Sequence, residues 1–334
     1  MKNQQLIQRC AAQTLMTLLG LAGLFTLLAL PAQAQDFPPK KPVSLVVGFA
    51  AGGAADTAAR LIAKKLGENI GQTVIVDNKP GAGGNIAHQF VANAPGDGAT
   101  LLFGSVGPLT IAPHLMKLGY DPVKDLSPIT MGVNFPNVLV VHSGVGVKTL
   151  AEYVALAKKK PGSLDFASTG SGSASHLAGE LFNDRAGIDT VHIPYKGGAP
   201  ALQDLLGGRV ASYYSAPATA GPHIESGKLI PLATTGLTRP AFLPNVPTIA
   251  ESGYPGFNAT NWYAFVASSK TPKALLDRWN VELVKVLNAT DVREQLNKHG
   301  LTPQPGTRDE LARYMASESA TWGRIIRTRK ITAE

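Results

Sequence analysis

Residues 43–56 read Val-Ser-Leu-Val-Val-Gly-Phe-Ala-Ala-Gly-Gly-Ala-Ala-Asp, an apolar strand running through a small-residue turn into a helix that starts near Ala54. This passage constrains the fold more than any other. A turn built only from Ala and Gly leaves its backbone N–H groups uncovered. At a helix start those groups lack intrahelical partners and carry partial positive charge, so the place suits an anion without any Lys or Arg. A second turn of the same kind follows about 120 residues on, Ser168-Thr-Gly-Ser-Gly-Ser-Ala-Ser-His176. Together they suggest two jaws closing on one small carboxylate. Small residues also serve tight strand-to-helix packing, and spacing alone leaves both readings open.

The N-terminus reads as a processing segment. Lys2 and Arg9 form a basic region, residues 11–30 are apolar and uncharged, and Ala32-Gln33-Ala34 after Pro31 fits the small-x-small cleavage rule. Cleavage after Ala34 is expected, with a periplasmic destination. The alternative is an uncleaved anchor, since 20 apolar residues just span a bilayer. Cys10 precedes the apolar run, which argues against a lipoprotein anchor. Cleavage would leave 300 of the 334 residues and no cysteine, so an exported chain would be held by its core without disulfides. That length favours two domains. The formal net charge is +8, or +6 once Lys2 and Arg9 are removed. The basic residues are scattered, with no stripe interleaved with aromatics, so nucleic-acid binding is not expected. A mild positive field still draws in anionic ligands.

Apolar runs alternate with helical patterns, which reads as α/β with largely parallel sheets. Strands are expected at 43–49, 74–78, 99–105, 137–142, 164–168, 190–194, 210–215, 229–235 and 261–267. Helices are expected at 54–66, with Gly67 as the stop, and at 85–93, 108–116, 149–160, 176–186, 199–207, 223–227, 272–287, 291–299 and 308–328. The Pro- and Gly-rich stretch 236–256 reads as surface loop. The strands at 137–142 and 261–267 sit where the chain would cross between lobes. Residues 35–136 with 260–334 then form a discontinuous first lobe, 137–259 an inserted second lobe, and the cleft lies between them.

The glycine-rich turns do not match nucleotide sites. No Gly-Lys-Ser/Thr follows Gly48-Phe-Ala-Ala-Gly-Gly53, and Gly81-Ala-Gly-Gly-Asn-Ile86 and Gly170-Ser-Gly-Ser-Ala-Ser175 fail the dinucleotide pattern at the last glycine. No Gly-x-Ser-x-Gly elbow is present. Ser173 and His176 are three apart, but a hydrolytic pair also needs an orienting acid and an oxyanion site. The seven His residues lack metal spacing and the acids are isolated, so neither a metal, nor a cofactor, nor glycoside hydrolysis is expected.

The candidate binding residues follow from the turns. Ala51, Gly52, Gly53 and Ala54 offer the first set of amides. Asp56 either braces that loop by accepting N–H bonds or meets a ligand amine. Ser105, Thr169, Ser171, Ser173 and Ser175 either donate to a ligand oxygen or cap helices. In Tyr195-Lys-Gly-Gly-Ala-Pro200, Gly197 and Gly198 precede a third helix start, and Lys196 either neutralises a carboxylate or is a surface lysine. Trp262 and Tyr263 are core or an apolar pocket wall.

These residues resemble the periplasmic solute-binding receptors of tripartite tricarboxylate transporters, the Bug-type receptors. The resemblance runs through Lys41-Pro-Val, the turn through Ala59-Arg60, Val76-Asp-Asn-Lys-Pro-Gly-Ala-Gly-Gly-Asn85 and Pro95-Gly-Asp-Gly98. It continues through Thr169-Gly-Ser-Gly-Ser-Ala-Ser-His-Leu177, Tyr195-Lys-Gly-Gly-Ala-Pro-Ala-Leu202, Pro222-His-Ile, Gly227-Lys-Leu229, Pro247-Thr-Ile-Ala-Glu-Ser-Gly253 and Trp262-Tyr263. It implies a two-lobed periplasmic-binding-protein fold of the class II type and no enzyme activity. It also implies a monomer that captures a small carboxylate for a membrane permease, gripped by backbone amides at 51–54 and 169–173 with Ser105 nearby. The alternatives are an exported enzyme acting on a carboxylated substrate, and a partner that presents its ligand to a membrane sensor. One departure is informative. After Gly208-Arg-Val210, Ala211 and Ser215 stand where many members have Asp. With Ser215 counted at the cleft, the missing acid argues for a ligand without a cationic group.

Overall fold

In the computed structural model, residues 37–332 are described; the expected leader and its cleavage site lie outside them. Strands β1 (Val43–Val47), β2 (Val74–Asn78) and β3 (Thr100–Ser105) build one half of a six-stranded sheet. Strands β4 (Leu126–Pro136), β10 (Thr260–Ser268) and the short β11 (Thr302–Pro303) build the other half, in the order β11-β4-β10-β3-β1-β2. A five-stranded sheet holds β5 (Val138–His142), β6 (Asp165–Ser168), β7 (Val191–Pro194), β8 (Ser212–Ser215) and β9 (Leu229–Thr234), ordered β7-β6-β8-β5-β9. Asn137 alone separates β4 in the first sheet from β5 in the second, and the chain returns through 235–259 into β10.

Both sheets are mixed, where the sequence suggested largely parallel ones. β1 pairs parallel with β2 and β3, and β6 with β7 and β8, but every pairing made by β4, β5 or β10 is antiparallel. The reason is topological. β4 carries the chain out of the first sheet and β10 carries it back beside β4, so the two run in opposite directions.

β4 is absent from the sequence reading. Pro128, Gly132 and Pro136 interrupt its pattern, and prolines and glycines demote a run as a strand candidate. The strand survives because its ladder with β10 absorbs two irregularities, between Tyr263 and Ala264 and between Phe265 and Val266. Gly132 is required at that place, since a Cβ there would stand 2.7 Å from the Phe103 ring.

The helices are α1 (Ala54–Ile70), α2 (Asn85–Ala92), α3 (Leu150–Lys159), α4 (Ala174–Ala186), α5 (Gly198–Leu206), α6 (Pro217–Glu225), α7 (Lys273–Asn288), α8 (Thr290–Lys298) and α9 (Arg308–Arg329). α1 runs past the expected stop at Gly67. Its end is Gly71, at φ 63°, whose N–H donates to the Gly67 carbonyl. The stretch expected as a helix over 108–116 is a wide turn at Gly107–Ile111 followed by a tight one at Ala112–His114.

Apolar residues of both sheets form the core. Trp262, Phe166 and Phe182 are fully buried, and so is Trp279, whose indole N–H donates to Gly98 O at 2.9 Å. Gly179, on the inner face of α4, lies against the Phe166 ring, and a Cβ there would overlap it. That ring is itself held between His192 and Tyr214, with centroids 5.1 and 5.7 Å away. Gly to Ala inside a helix gains up to about 1 kcal/mol of helix propensity, but overpacking a closed core costs about 1–3 kcal/mol. Gly179→Ala is therefore expected to lower the melting temperature by several degrees, measured by thermal unfolding; an unchanged or higher value would mean that the ring can move aside.

Candidate functional site

The first turn ends at Gly53, whose extended backbone (φ −87°, ψ 175°) is that of an N-cap residue without a capping side chain. The first intrahelical bond of α1 runs from Thr57 N–H to Gly53 O, so the amides of Ala54, Ala55 and Asp56 have no partner within the helix. α5 begins after Gly197, at φ 146°, with the amides of Gly198 and Ala199 ahead of Pro200. α6 begins after Ala216 with the amide of Ala218 alone, since Pro217 has no N–H and the Thr219 N–H donates to Ala216 O; neither helix has a side-chain cap. In contrast, Thr149 and Thr307 give α3 and α9 full capping boxes.

These three uncapped starts meet at one cavity, which Gly53, Ala54, Gly198, Ala216 and Thr219 line. A Cβ built on Gly53 would stand 3.5 Å from Gly198 N, so the starts of α1 and α5 face each other closely. The two sides also share a backbone bond, Ala50 N–H donating to Lys196 O at 3.0 Å. Phe49, Tyr213, Tyr214 and Tyr263 supply aromatic walls, and Asn137, Asn261, Thr169 and Ser175 supply neutral polar groups. No charged side chain lines the cavity. Its attraction for an anion therefore comes from peptide dipoles and neutral donors in a partly dry space, where such interactions are stronger than in water.

Among the residues singled out from the sequence, Gly53, Ala54, Thr169, Ser175, Gly198 and Tyr263 line this cavity. Ala51 and Gly52 are exposed on the turn. The Gly52 N–H is already committed to Asp56 Oδ2 at 3.0 Å. Asp56 sits behind the turn, with Arg60 Nε at 3.0 Å and Nη2 at 2.9 Å. Burial alone would raise its pKa, but the bonds from Arg60, Gly52 and Asn78 outweigh burial and hold it below the usual carboxylate range. A depressed carboxylate contributes stability above its unfolded pKa and loses it as pH falls through the folded one, so this brace fails only in acid.

The second turn contributes less directly than its glycines suggested. Thr169 Oγ1 and Ser175 Oγ are 3.2 Å apart, and Ser175 Oγ also accepts the Thr169 N–H at 2.9 Å. Ser173 Oγ accepts the His176 N–H as the cap of α4. The middle of the turn packs on the first sheet's loops: the Ser171 carbonyl lies against Gly83, and a Cβ on Gly107 would stand 2.7 Å from Gly172 O. His176 braces it from behind, its Nδ1 accepting the Gly172 N–H at 3.1 Å. Burial, with His192 stacked 4.0 Å away, pushes the His176 pKa down to about 3, so the ring stays a neutral acceptor near neutrality.

The remaining candidates stand off the cavity wall. Lys196 projects its side chain to solvent and uses only its carbonyl at the interface. Gly197 is buried just before Gly198. Ser215 is fully buried and donates to Ala216 O at 3.1 Å. Ser105 is buried beside Gly84, its N–H donating to His88 Nε2 at 3.2 Å and its hydroxyl without a partner. The sequence reading missed Asn137, Thr219, Ala216 and Asn261. Ala216 had a findable signal, because it directly follows a strand and precedes Pro217 at a helix start.

Gly53 tests the arrangement. Its φ and the ordinary contacts of an added Cβ accept a side chain. Asp there would cap α1 with its own carboxylate and fill the anion's place. Gly53→Asp should keep or slightly raise stability to thermal unfolding, by about a few tenths of a kcal/mol, while abolishing ligand binding in calorimetry. Unchanged affinity would remove this turn from the site.

Comparison with known proteins places this arrangement in a family. Residues 58–331 match the profile of the tripartite tricarboxylate transporter family receptors. The periplasmic binding protein BugD is similar in structure, with a TM-score of 0.85 and 33% identity over 89% of this chain and 100% of that one. Rpa4515 of R. palustris, solved with adipate, has a TM-score of 0.85 and 34% identity over 89% of this chain and 99% of its own. MatC (Rpa3494) of Rhodopseudomonas palustris, solved with bound malate, has a TM-score of 0.83 and 32% identity over 86% and 99%. The chain belongs to the tripartite tricarboxylate transporter receptor family, a family of periplasmic solute-binding receptors rather than enzymes.

Proposed function

We propose that this receptor captures a small organic acid in the cavity between its two sheets and delivers it to the permease of a tripartite tricarboxylate-type transporter. The observation that carries the reading is the meeting of three uncapped helix starts in a cavity without a charged side chain. A carboxylate supplies the acceptors those amides lack. Micromolar affinity needs about 8 kcal/mol, and hydrogen bonds to a charged group contribute roughly 1.5–3 kcal/mol each. Four or five donors from both sides suffice after ordering costs, whereas one turn alone binds weakly. The adipate and malate held by the two R. palustris relatives support a carboxylate ligand. In this reading the two sheets and their helices act as lobes, 35–136 with 260–334 and 137–259, in a monomer. Grip falls to the open amides at the starts of α1 and α5, because those of Gly52, Thr169, Gly170, Gly172 and Ser173 already have acceptors within the protein.

The ligand lacks a cationic group. Burying an ammonium with no acid on the wall carries a penalty of several kcal/mol. Calorimetry with malate, succinate and aspartate tests this: aspartate should bind at least about tenfold more weakly than the better of its two nitrogen-free counterparts. Tighter binding of aspartate would overturn the ammonium-free ligand. The leader has its own check. N-terminal sequencing of protein taken from the periplasm should begin at Gln35, and a chain retained on membranes with Met1 intact would show an anchor instead.

A further inference from the structure

Two buried donors on the cavity wall have no partner among the described residues. Asn137 is 1% exposed and its Nδ2 makes no hydrogen bond; Thr219 is 6% exposed and its Oγ1 makes none. Both residues line the cavity. Leaving a buried donor unpaired is costly, and such orphans call for a partner that the chain does not itself supply. The rest of Asn137 is fully engaged. Its N–H donates to Thr235 Oγ1 and its C=O accepts the Thr235 N–H, both at 2.9 Å, and its Oδ1 accepts Asn261 Nδ2 at 3.3 Å. These bonds fix the amide with only Nδ2 left over. Thr219 Oγ1 stands at the start of α5, where a Cβ on Gly198 would come within 3.1 Å of it and 3.2 Å of Tyr213 Oη. Glycine at 198 keeps that space open.

We propose that Asn137 and Thr219 are ligand-recognition residues, each donating to an oxygen of the bound acid. The assignment rests on the carboxylate reading above. Asn137 also occupies a special place in the chain. It is the single residue between β4 and β5, and its partner Asn261 lies on β10, the strand of the return crossing. A ligand oxygen on Asn137 Nδ2 therefore joins the bond network tying the two crossings together. The acid is read at the junction of the two sheets, in addition to the helix starts. The ligand class is a small acid with at least one further oxygen acceptor beyond the pair that the helix starts hold.

Two near-isosteric variants separate recognition from structure. Asn137→Asp keeps the acceptor that Asn261 uses and loses the Nδ2 donor. It also adds a charge that repels an acid, so unchanged affinity there overturns the assignment while the neutral Thr219→Val carries the positive test. Thr219→Val removes the orphan hydroxyl and keeps the shape. The wild type is first titrated with a panel of C2–C6 mono-, di- and hydroxycarboxylates including malate and adipate, and the tightest acid is the probe for both variants. We expect a loss of about a hundredfold for Asn137→Asp and about tenfold for Thr219→Val, each as a rise in Kd by calorimetry. Thr219→Val should also leave the ligand-free melting temperature unchanged or higher, since it removes an unpaired buried hydroxyl. A purely structural role predicts the reverse: a lower melting temperature with Kd unchanged. Should Asn137→Asp not fold, Thr219→Val alone decides. Unchanged Kd in the folded variants overturns this assignment and leaves the carboxylate receptor standing. Failure of every acid to bind the wild type overturns both.

Discussion

Everything in the binding region depends on peptide N–H groups that the protein declines to satisfy itself. A helix start normally finds a side-chain oxygen, and α3, α4 and α9 have theirs in Thr149, Ser173 and Thr307. The other six starts do not, and three of those, of α1, α5 and α6, reach the same cavity. The unmet donors set the chemistry: negative, oxygen-rich and small. They also explain the local composition, since Gly53, Ala54 and Gly198 are small enough to leave those amides open to the cavity.

The surrounding structure holds that geometry without using the ligand. Asp56 ties Gly52 to Arg60 behind the first turn, and His176 ties Gly172 behind the second. Both braces sit outside the cavity lining, so the polar groups that shape the turns differ from those that face the ligand. Separating the two tasks lets neutral donors do the binding while the buried Asp56 carboxylate stays paired with Arg60 away from the cavity lining. A buried Arg in the cavity would hold an anion more strongly, but it would pay a desolvation penalty whenever the site stood empty.

Much of this was legible in the sequence. The strand-turn-helix at 43–56 and the two later glycine turns announced themselves through local composition, because their chemistry lies in the backbone and small residues mark it. The crossing strand at 261–267 was visible for a similar reason, as an unbroken apolar run. β4 was not, because Pro128 and Pro136 mask a strand whose stability comes from pairing with β10, 130 residues away. Asn137 and Thr219 were invisible as binding residues for a different reason. Each is an ordinary polar residue in its own segment, and only the tertiary arrangement shows that one of its donors has been left without company. Ser173, Ser215 and Lys196 show the converse. Their chemistry suited the site, yet capping, a local carbonyl and solvent took their polar groups.

The bond from Ala50 N–H to Lys196 O joins the two sides of the cleft with main-chain atoms only. Any residue other than proline at 50 can donate it, and any residue at all can accept it at 196. The latch is therefore insulated from side-chain drift. Variation at these two positions can retune surface charge, as the exposed Lys196 does, while the fastening itself is inherited unchanged.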